Sequence, residues 1–231
     1  MNIFYIITRH TISMSEPIIY YKVTNKDENH HSFQYQDGLN ILIQPFNKNV
    51  YDSCCKGGFY FTTLDNIHKF LEFGEYIREV SFPTNNPSFK MIQCISGDTY
   101  RSNMAILGKK YNMFDIKTIL YFKLHMAYDF IDSASKNGHI DVLEWFKNSG
   151  YKFKYSVNAI KLASQNCHVN VLKWFKNSGY EFKYSADAID LASENGHVNV
   201  LEWFKNSGYE FKYSENTIDW LSYNRHVNIL E

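Results

Sequence analysis

Ala186-Asp-Ala-Ile-Asp-Leu-Ala-Ser-Glu-Asn-Gly-His-Val-Asn-Val-Leu-Glu-Trp-Phe-Lys-Asn-Ser-Gly208, followed by Tyr209-Glu-Phe-Lys-Tyr-Ser214, is one period of a cycle. His139, His168, His197 and His226 stand 29 residues apart, and the same offset superimposes Trp145, Trp174 and Trp203 and also Gly150, Gly179 and Gly208. Such self-similarity at a fixed period is the mark of a repeat architecture.

Each copy decodes locally. Asp129, Asn158, Asp187 and Asn216 precede an apolar segment and are expected N-caps, since a side-chain oxygen can accept an orphan N–H of the first turn. Ile189, Leu191 and Ala192 fall within about one helical turn, and Asn195-Gly196 ends the helix, glycine tolerating the left-handed conformation of a C-cap. A second helix carries Val200, Leu201, Trp203 and Phe204, an arc too wide to bury against a single partner, and stops at Ser207-Gly208. The unit is therefore helix, tight turn, helix and a six-residue extended link. Stacking on neighbours buries both of its apolar sides, the arrangement of a solenoid.

The pattern Ile-Asp-Leu-Ala-Ser-x-Asn-Gly-His-x-x-Val-Leu-x-Trp-Phe-x-x-x-Gly resembles the ankyrin repeat over roughly residues 115–231. The resemblance implies partner binding in general. Three features depart from it. The usual Thr-Pro opening is replaced by Asp or Asn plus a small residue. The period is shorter than the family's usual 33, and the shortfall lies in the link after the Gly, where ankyrin repeats carry a hairpin finger; binding is therefore expected on the helical faces. Cys167 and Arg225 stand where Gly138 and Gly196 stand, so their turns should carry about 1 kcal/mol of strain if the conformation is kept. Asn-Gly-His followed by Val-Leu-Glu-Trp-Phe-Lys-Asn-Ser-Gly looks like the short-period ankyrin proteins of giant amoeba-infecting DNA viruses, the mimivirus type.

The fold class expected is an α+β N-terminal domain followed by an all-α ankyrin-like helical solenoid. Residues 1–13 are a candidate extension, translation starting at Met1 or at Met14; 14–110 form the α+β domain; 111–231 hold about four copies, the last incomplete. Because a terminal unit without a polar cap exposes its apolar stripe, Asn224–Glu231 should fray. In the N-terminal half, Ile18–Thr24, Phe59–Thr62 and Tyr76–Phe82 read as strands, and Leu64–Phe73 as a short helix with apolar positions at 64, 67, 70 and 71. Phe33–Gly38 and Cys55–Phe61 look like segments that accompany ankyrin arrays in the same viral proteins, and distantly resemble a small phage and bacterial domain without a known activity.

Composition bounds the function. The 231 residues carry 24 basic and 24 acidic side chains, which removes a global attraction for nucleic acid or anionic membrane. Four cysteines make no disulfide scaffold, so an intracellular setting, host cytoplasm for a viral chain, is expected. The apolar run Ile3–Ile7 is shorter than a signal h-region and far below a membrane span. Aromatic residues make 17% of the chain, in good part because Trp-Phe-Lys-Asn-Ser-Gly-Tyr-x-Phe-Lys-Tyr is copied three times.

Candidate chemistry is sparse. The periodic histidines, one per copy, sit a helix-packing distance of about 8–10 Å apart, whereas a shared metal needs its ligands within about 2 Å, so they read as structural. Cys54-Cys55, Cys94 and Cys167 have no zinc spacing. His30-His31 with Asp27 and Glu28 is an acid–base candidate whose plainer reading is a solvated loop. Gly57-Gly58 lacks a nucleotide-loop context and marks a turn. Lys109-Lys110 with Arg101 is too small a basic patch to argue for nucleic acid, and the three tryptophans read as core rather than as a stacking platform. No catalytic, cofactor or metal residue is assigned.

For a protein partner, positions that vary between nearly identical copies are the candidates. They form two rows: Asp132, Lys161, Asp190 and Asp219; and Lys136, Gln165, Glu194 and Tyr223. Variation between stacked copies implies exposure, and an exposed row along a solenoid can be read by a host or viral protein. The sequence therefore predicts a non-enzymatic interaction protein. The alternative is an effector whose N-terminal domain binds or modifies a small molecule while the repeats recruit the target.

Overall fold

A computed structural model describes residues 19–30, 32–51 and 56–223. The extension at 1–13 and Met14, Cys54-Cys55, His31, Arg225, His226 and the fraying expected at Asn224–Glu231 lie outside the described residues. The chain forms two compact units. The first is built from residues up to Lys22, Phe33–Ile67 and Arg78–Lys109; the second from Val23–Ser32, His68–Ile77 and from Lys110 onward.

The N-terminal half is a sheet region. Strands β1 (Tyr20–Thr24), β4 (Gly38–Ile41), β5 (Phe59–Thr63), β6 (Tyr76–Ser81), β7 (Met91–Gln93), β8 (Tyr100–Ser102) and β9 (Met104–Asn112) form one seven-stranded sheet in the order β4-β9-β6-β1-β5-β8-β7, and β2 (Asn29–His30) pairs with β3 (Phe33–Gln34). The pairs β1–β5, β4–β9, β5–β8 and β7–β8 are antiparallel, with Tyr20 opposite Thr63 and Phe59 opposite Ser102. Alternation turns one face inward, where Phe59, Phe61, Val80, Ala105 and Leu107 pack with Tyr35. Aromatic side chains dominate this core. Tyr20 meets Phe61 and Phe82 edge-on at 5.3 and 5.4 Å.

The expected helix at Leu64–Phe73 is present, wound as a 3₁₀ helix. Its three-residue turn places Ile67 and Phe70 on one edge, with Ile67 and Leu71 buried and Leu64 and Phe73 exposed. Of the four apolar positions read from the sequence, Ile67 and Leu71 are buried, Phe70 is half-buried and Leu64 is exposed.

Eight α-helices are present among the described residues: α1 (Ile116–Tyr121), then the pairs α2 (Phe130–Lys136) and α3 (Ile140–Ser149), α4 (Val157–Gln165) and α5 (Val169–Ser178), α6 (Asp187–Glu194) and α7 (Val198–Ser207), and α8 (Glu215–Tyr223). The two helices of each pair pack together. First helices pack on first helices, α2 on α4, α4 on α6 and α6 on α8; second helices do the same, α3 on α5 and α5 on α7. Equivalent positions are buried in every pair: Ile131, Ile160 and Ile189 in the first helices, and Phe146, Phe175 and Phe204 in the second. Burying a phenylalanine of this kind contributes about 1.5–3 kcal/mol.

Helix ends follow the sequence at the C-terminal side. Gly150, Gly179 and Gly208 close the second helices in the left-handed conformation, with φ of 78°, 87° and 85°. The N-caps are a correction. Asn158, Asp187 and Asn216 lie inside the first turn, and Asp129 makes no side-chain capping bond. For α4 the cap is Ser156, whose hydroxyl accepts from the Asn158 N–H at 3.0 Å. In α4, Asn158 two residues later has no need to cap a turn that Ser156 has already closed.

Candidate interaction surface

The links between copies hold the positions where ankyrin fingers would be, and they contain no strand among the described residues. They are tied together by aromatic side chains instead. Phe153 stacks on Tyr180 of the next link at 4.2 Å and Phe182 on Tyr209 at 4.3 Å. Tyr155 donates its hydroxyl to the Glu181 carbonyl at 2.5 Å, and Tyr184 donates to that of Glu210 at 2.7 Å. The ammonium groups of Lys183 and Lys212 lie 4.7 and 4.9 Å from the ring centres of Tyr155 and Tyr184. Burial first, then the nearby carboxylates, raise the two tyrosine hydroxyl pKa values. The aromatic excess of the chain is thus used as a ladder joining link to link.

The tryptophans are half-buried beside this ladder, and the fully buried position is the adjacent Phe146, Phe175 or Phe204. Trp174 lies 5.6 Å from Phe153 and donates its indole N–H to Glu144 of the preceding copy at 2.8 Å. That bond, then one from Asn148, holds the Glu144 carboxyl below its usual range. The three tryptophans thus stand at the rim rather than in the core, and Trp174 uses that position to give its indole N–H an acceptor.

The histidines stand at the inter-helix turns. His197 shares a hydrogen bond of 2.9 Å with the Gln165 carbonyl of the copy before it, and His168 meets the carbonyl of Lys136 in the same way. His139 stacks on Phe114 at 3.9 Å. Burial lowers the pKa of both His139 and His168. Among the described residues no three His, Cys, Asp or Glu side chains converge as metal ligands would. Beside this row a cleft of about 250 Å³ is lined by Gly138, Cys167, His168 and Asn199. Cys167, at φ 65°, keeps the left-handed conformation that Gly138 and Gly196 adopt, so the strain expected there is present, and its thiol donates to Asn199 at 3.1 Å.

The first variable row is not the exposed line its variation implied. Asp132 is only 5% exposed, and its carboxylate accepts the Ser156 N–H at 2.9 Å and the Ser156 hydroxyl at 2.5 Å. Burial raises its pKa, against the pull of those two bonds. Asp190 accepts the Ser214 N–H at 2.9 Å and the Thr217 hydroxyl. Lys161 is partly buried, and Asp219 is exposed. In the second row Lys136 and Gln165 are partly buried and Glu194 and Tyr223 are exposed. The recurring serines at 156, 185 and 214 were visible in sequence at the same 29-residue spacing, but not the acceptor each one needs.

The remaining candidates are structural in detail. Arg101 is fully buried and belongs to no surface patch: it donates to the Tyr60 hydroxyl at 2.9 Å and the Asn49 carbonyl at 2.5 Å. Gly58 is there because a Cβ would collide with the Arg101 side chain, while Gly57, at φ 99°, makes the turn. Lys110 pairs with Glu28 at 3.4 Å and covers the Tyr76 ring at 4.0 Å. Glu28 thus joins an ion pair at the turn before β2, and His30 lies in β2. Lys22 is buried, donates to the Tyr60 carbonyl at 3.1 Å and lies 4.7 Å from the Tyr35 ring; burial pushes its pKa down to about 8. No helix among the described residues is long and apolar enough to cross a membrane.

Helix pairs that repeat every 29 residues, with Gly-His turns and the same buried positions, define a helical-repeat protein. Curated relatives make the class more particular. Ankyrin repeat protein R868 of Acanthamoeba polyphaga mimivirus is 49% identical over 54% of this chain and 65% of its own length, and ankyrin repeat protein R896 of the same virus is 38% identical over 60% of this chain and 43% of its own. The uncharacterized mimivirus protein R869 is 40% identical over 54% of this chain and 94% of its own length. The chain thus spans less than two thirds of the length of the first two. No family model and no solved structure matches. The chain is similar to ankyrin repeat proteins of mimivirus.

Proposed function

We propose that this chain is a non-enzymatic protein–protein interaction protein, presenting an ankyrin-type solenoid surface to a host or viral protein inside the infected cell. The observation that carries the reading is the in-register packing of copies: equivalent first helices touch, equivalent second helices touch, and the ties recur at the same offsets. A stack of this kind sets outward residues in rows at one per copy. The row Lys136, Gln165, Glu194 and Tyr223 is the candidate contact line, with Asp219 the exposed member of the other row; Asp132 and Asp190 serve the stack itself. The names of the mimivirus relatives support a repeat protein and specify no partner. Nothing in the described residues favours the small-molecule effector.

Affinity capture from amoeba lysate tests the reading with the full chain as bait. The expected result is one or a few proteins retained specifically, and lost when Glu194→Lys and Tyr223→Ala are combined. Retention unchanged by those substitutions and by charge reversal at Lys136 would remove the row from the proposal. Failure to retain any protein specifically would overturn the function.

A further inference from the structure

We propose that the second and third helical copies part from one another more readily than the first and second do, and that Lys161 sets this opening point. The inference goes beyond partner binding and does not depend on it.

The three junctions between first helices can be compared atom by atom. At the first, Asp132 accepts both the N–H and the hydroxyl of Ser156, and the Ser156 oxygen in turn takes the Asn158 N–H, so α4 begins at Val157. At the third, Asp190 takes the Ser214 N–H and the Thr217 hydroxyl, and α8 begins at Glu215, the equivalent position. At the second, Lys161 stands where the aspartates stand. An ammonium has three donors and no acceptor, so it cannot receive the serine proton. The Ser185 hydroxyl is buried without a hydrogen-bond partner, α6 has no side-chain cap, and it begins at Asp187, one residue late. A buried hydroxyl stripped of its partner keeps its desolvation penalty and loses the bond that offsets it.

Two further differences fall at the same junction. The Glu144 carboxylate that holds Trp174 is replaced, one copy on, by Lys173, and Trp203 has no equivalent bond. Cys167 occupies the left-handed turn position that glycine fills on either side. Across it stand the Phe182–Tyr209 stack, the Tyr184 and His197 bonds, the Lys212 ammonium over Tyr184, the exposed Lys176 bonded to the Ser207 carbonyl and near the Tyr209 ring, and the Cys167 thiol to Asn199. The stack and the Tyr184 and His197 bonds recur at the first junction and so do not distinguish the two. An exposed ammonium and a weak thiol donor are small replacements for a buried carboxylate. In an array whose stability is a sum of units and nearest-neighbour interfaces, the weakest interface is where the array divides.

Native-state hydrogen exchange on the full chain reads this directly. The amides of α6 and α7 are expected to open together about tenfold more often than those of α4 and α5, the step falling between α5 and α6. Lys161→Asp should close that step to within about threefold, and Lys161→Asn, which restores an acceptor without a second carboxylate near Asp132, should close part of it. Lys161→Ala, which removes the charge and supplies no acceptor, should leave the step in place. Asp132→Lys should create a matching step between α3 and α4. Equal protection on both sides of the junction overturns the proposal, as does a step that survives Lys161→Asp or that Lys161→Ala closes equally well.

Discussion

The two units of this protein satisfy their buried polar groups in opposite ways. In the sheet unit each solution is made once. Arg101 threads past a glycine to reach one hydroxyl and one carbonyl, and Lys22 reaches another carbonyl beside a tyrosine ring. In the helical unit each solution is copied, serine to carboxylate, tyrosine to carbonyl, histidine to carbonyl, with the same offset every time. Unique arrangements tolerate no loss, because no other residue supplies the missing partner. Copied arrangements lose one member locally, and the chain has already done so at Lys161.

The largest effect belongs to the sheet unit. Arg101→Ala is expected to lower its stability by about 3–5 kcal/mol, through the cavity left and the two acceptors stranded. Gly58→Ala should act in the same direction, since its Cβ collides with that arginine. Urea titration followed by circular dichroism and by amide exchange in β5 and β8 measures both; an unchanged midpoint for Arg101→Ala would erase the contrast between the units.

Next in size is Asp132→Ala, expected to destabilise the helical unit by about 1–3 kcal/mol while leaving sheet amides alone. Loss of protection spreading equally into β5 and β8 would show that the units do not behave separately. A smaller change of opposite sign is expected for Cys167→Gly, a gain of about 1 kcal/mol from relief of the left-handed turn. Thermal melting checks it, and a lower melting temperature would mean that the thiol bond to Asn199 outweighs the strain.

The smallest effect is on pH dependence. Burial lowers the His139 and His168 pKa values, so the unfolded chain binds protons near pH 6.5 while the folded chain does not until the pH is lower. Their contribution is therefore complete above about pH 6.5 and is lost as the pH falls from there through the folded values. Exchange rates corrected for intrinsic chemistry should rise in α3 and α5 between pH 7.5 and 5.5, with β5 and β8 unmoved. Equal behaviour of the two units would contradict the placement of those histidines at the inter-helix turns of the repeats.

Much of the helical unit was legible in its residues. Gly-His turns, glycine stops and buried isoleucine and phenylalanine positions follow from a period repeated three times, which averages away local ambiguity. The sheet region was less so. β1, β5 and β6 are apolar runs and were visible; β4 is four residues long, and β9 holds Gly108-Lys109-Lys110, which reads as a basic patch until the strand is seen between β4 and β6. Short strands take their identity from neighbours far along the chain, and no single stretch reports that.

By itself, the sequence determined where the turns and glycine stops of the repeats fall and how the copies align, because glycine stops and periodicity act over a few residues; the helix starts it did not. Tertiary structure alone decided which polar residues face inward. Asp132 looked like a surface position because its row varies between copies, and it is buried because a serine 24 residues later offers it two donors. Arg101 looked like a surface cation and is buried because Gly58, Tyr60 and Asn49 meet around it. A polar side chain's place depends on whether a partner is waiting, and that partner is supplied by distant chain brought close only in the fold.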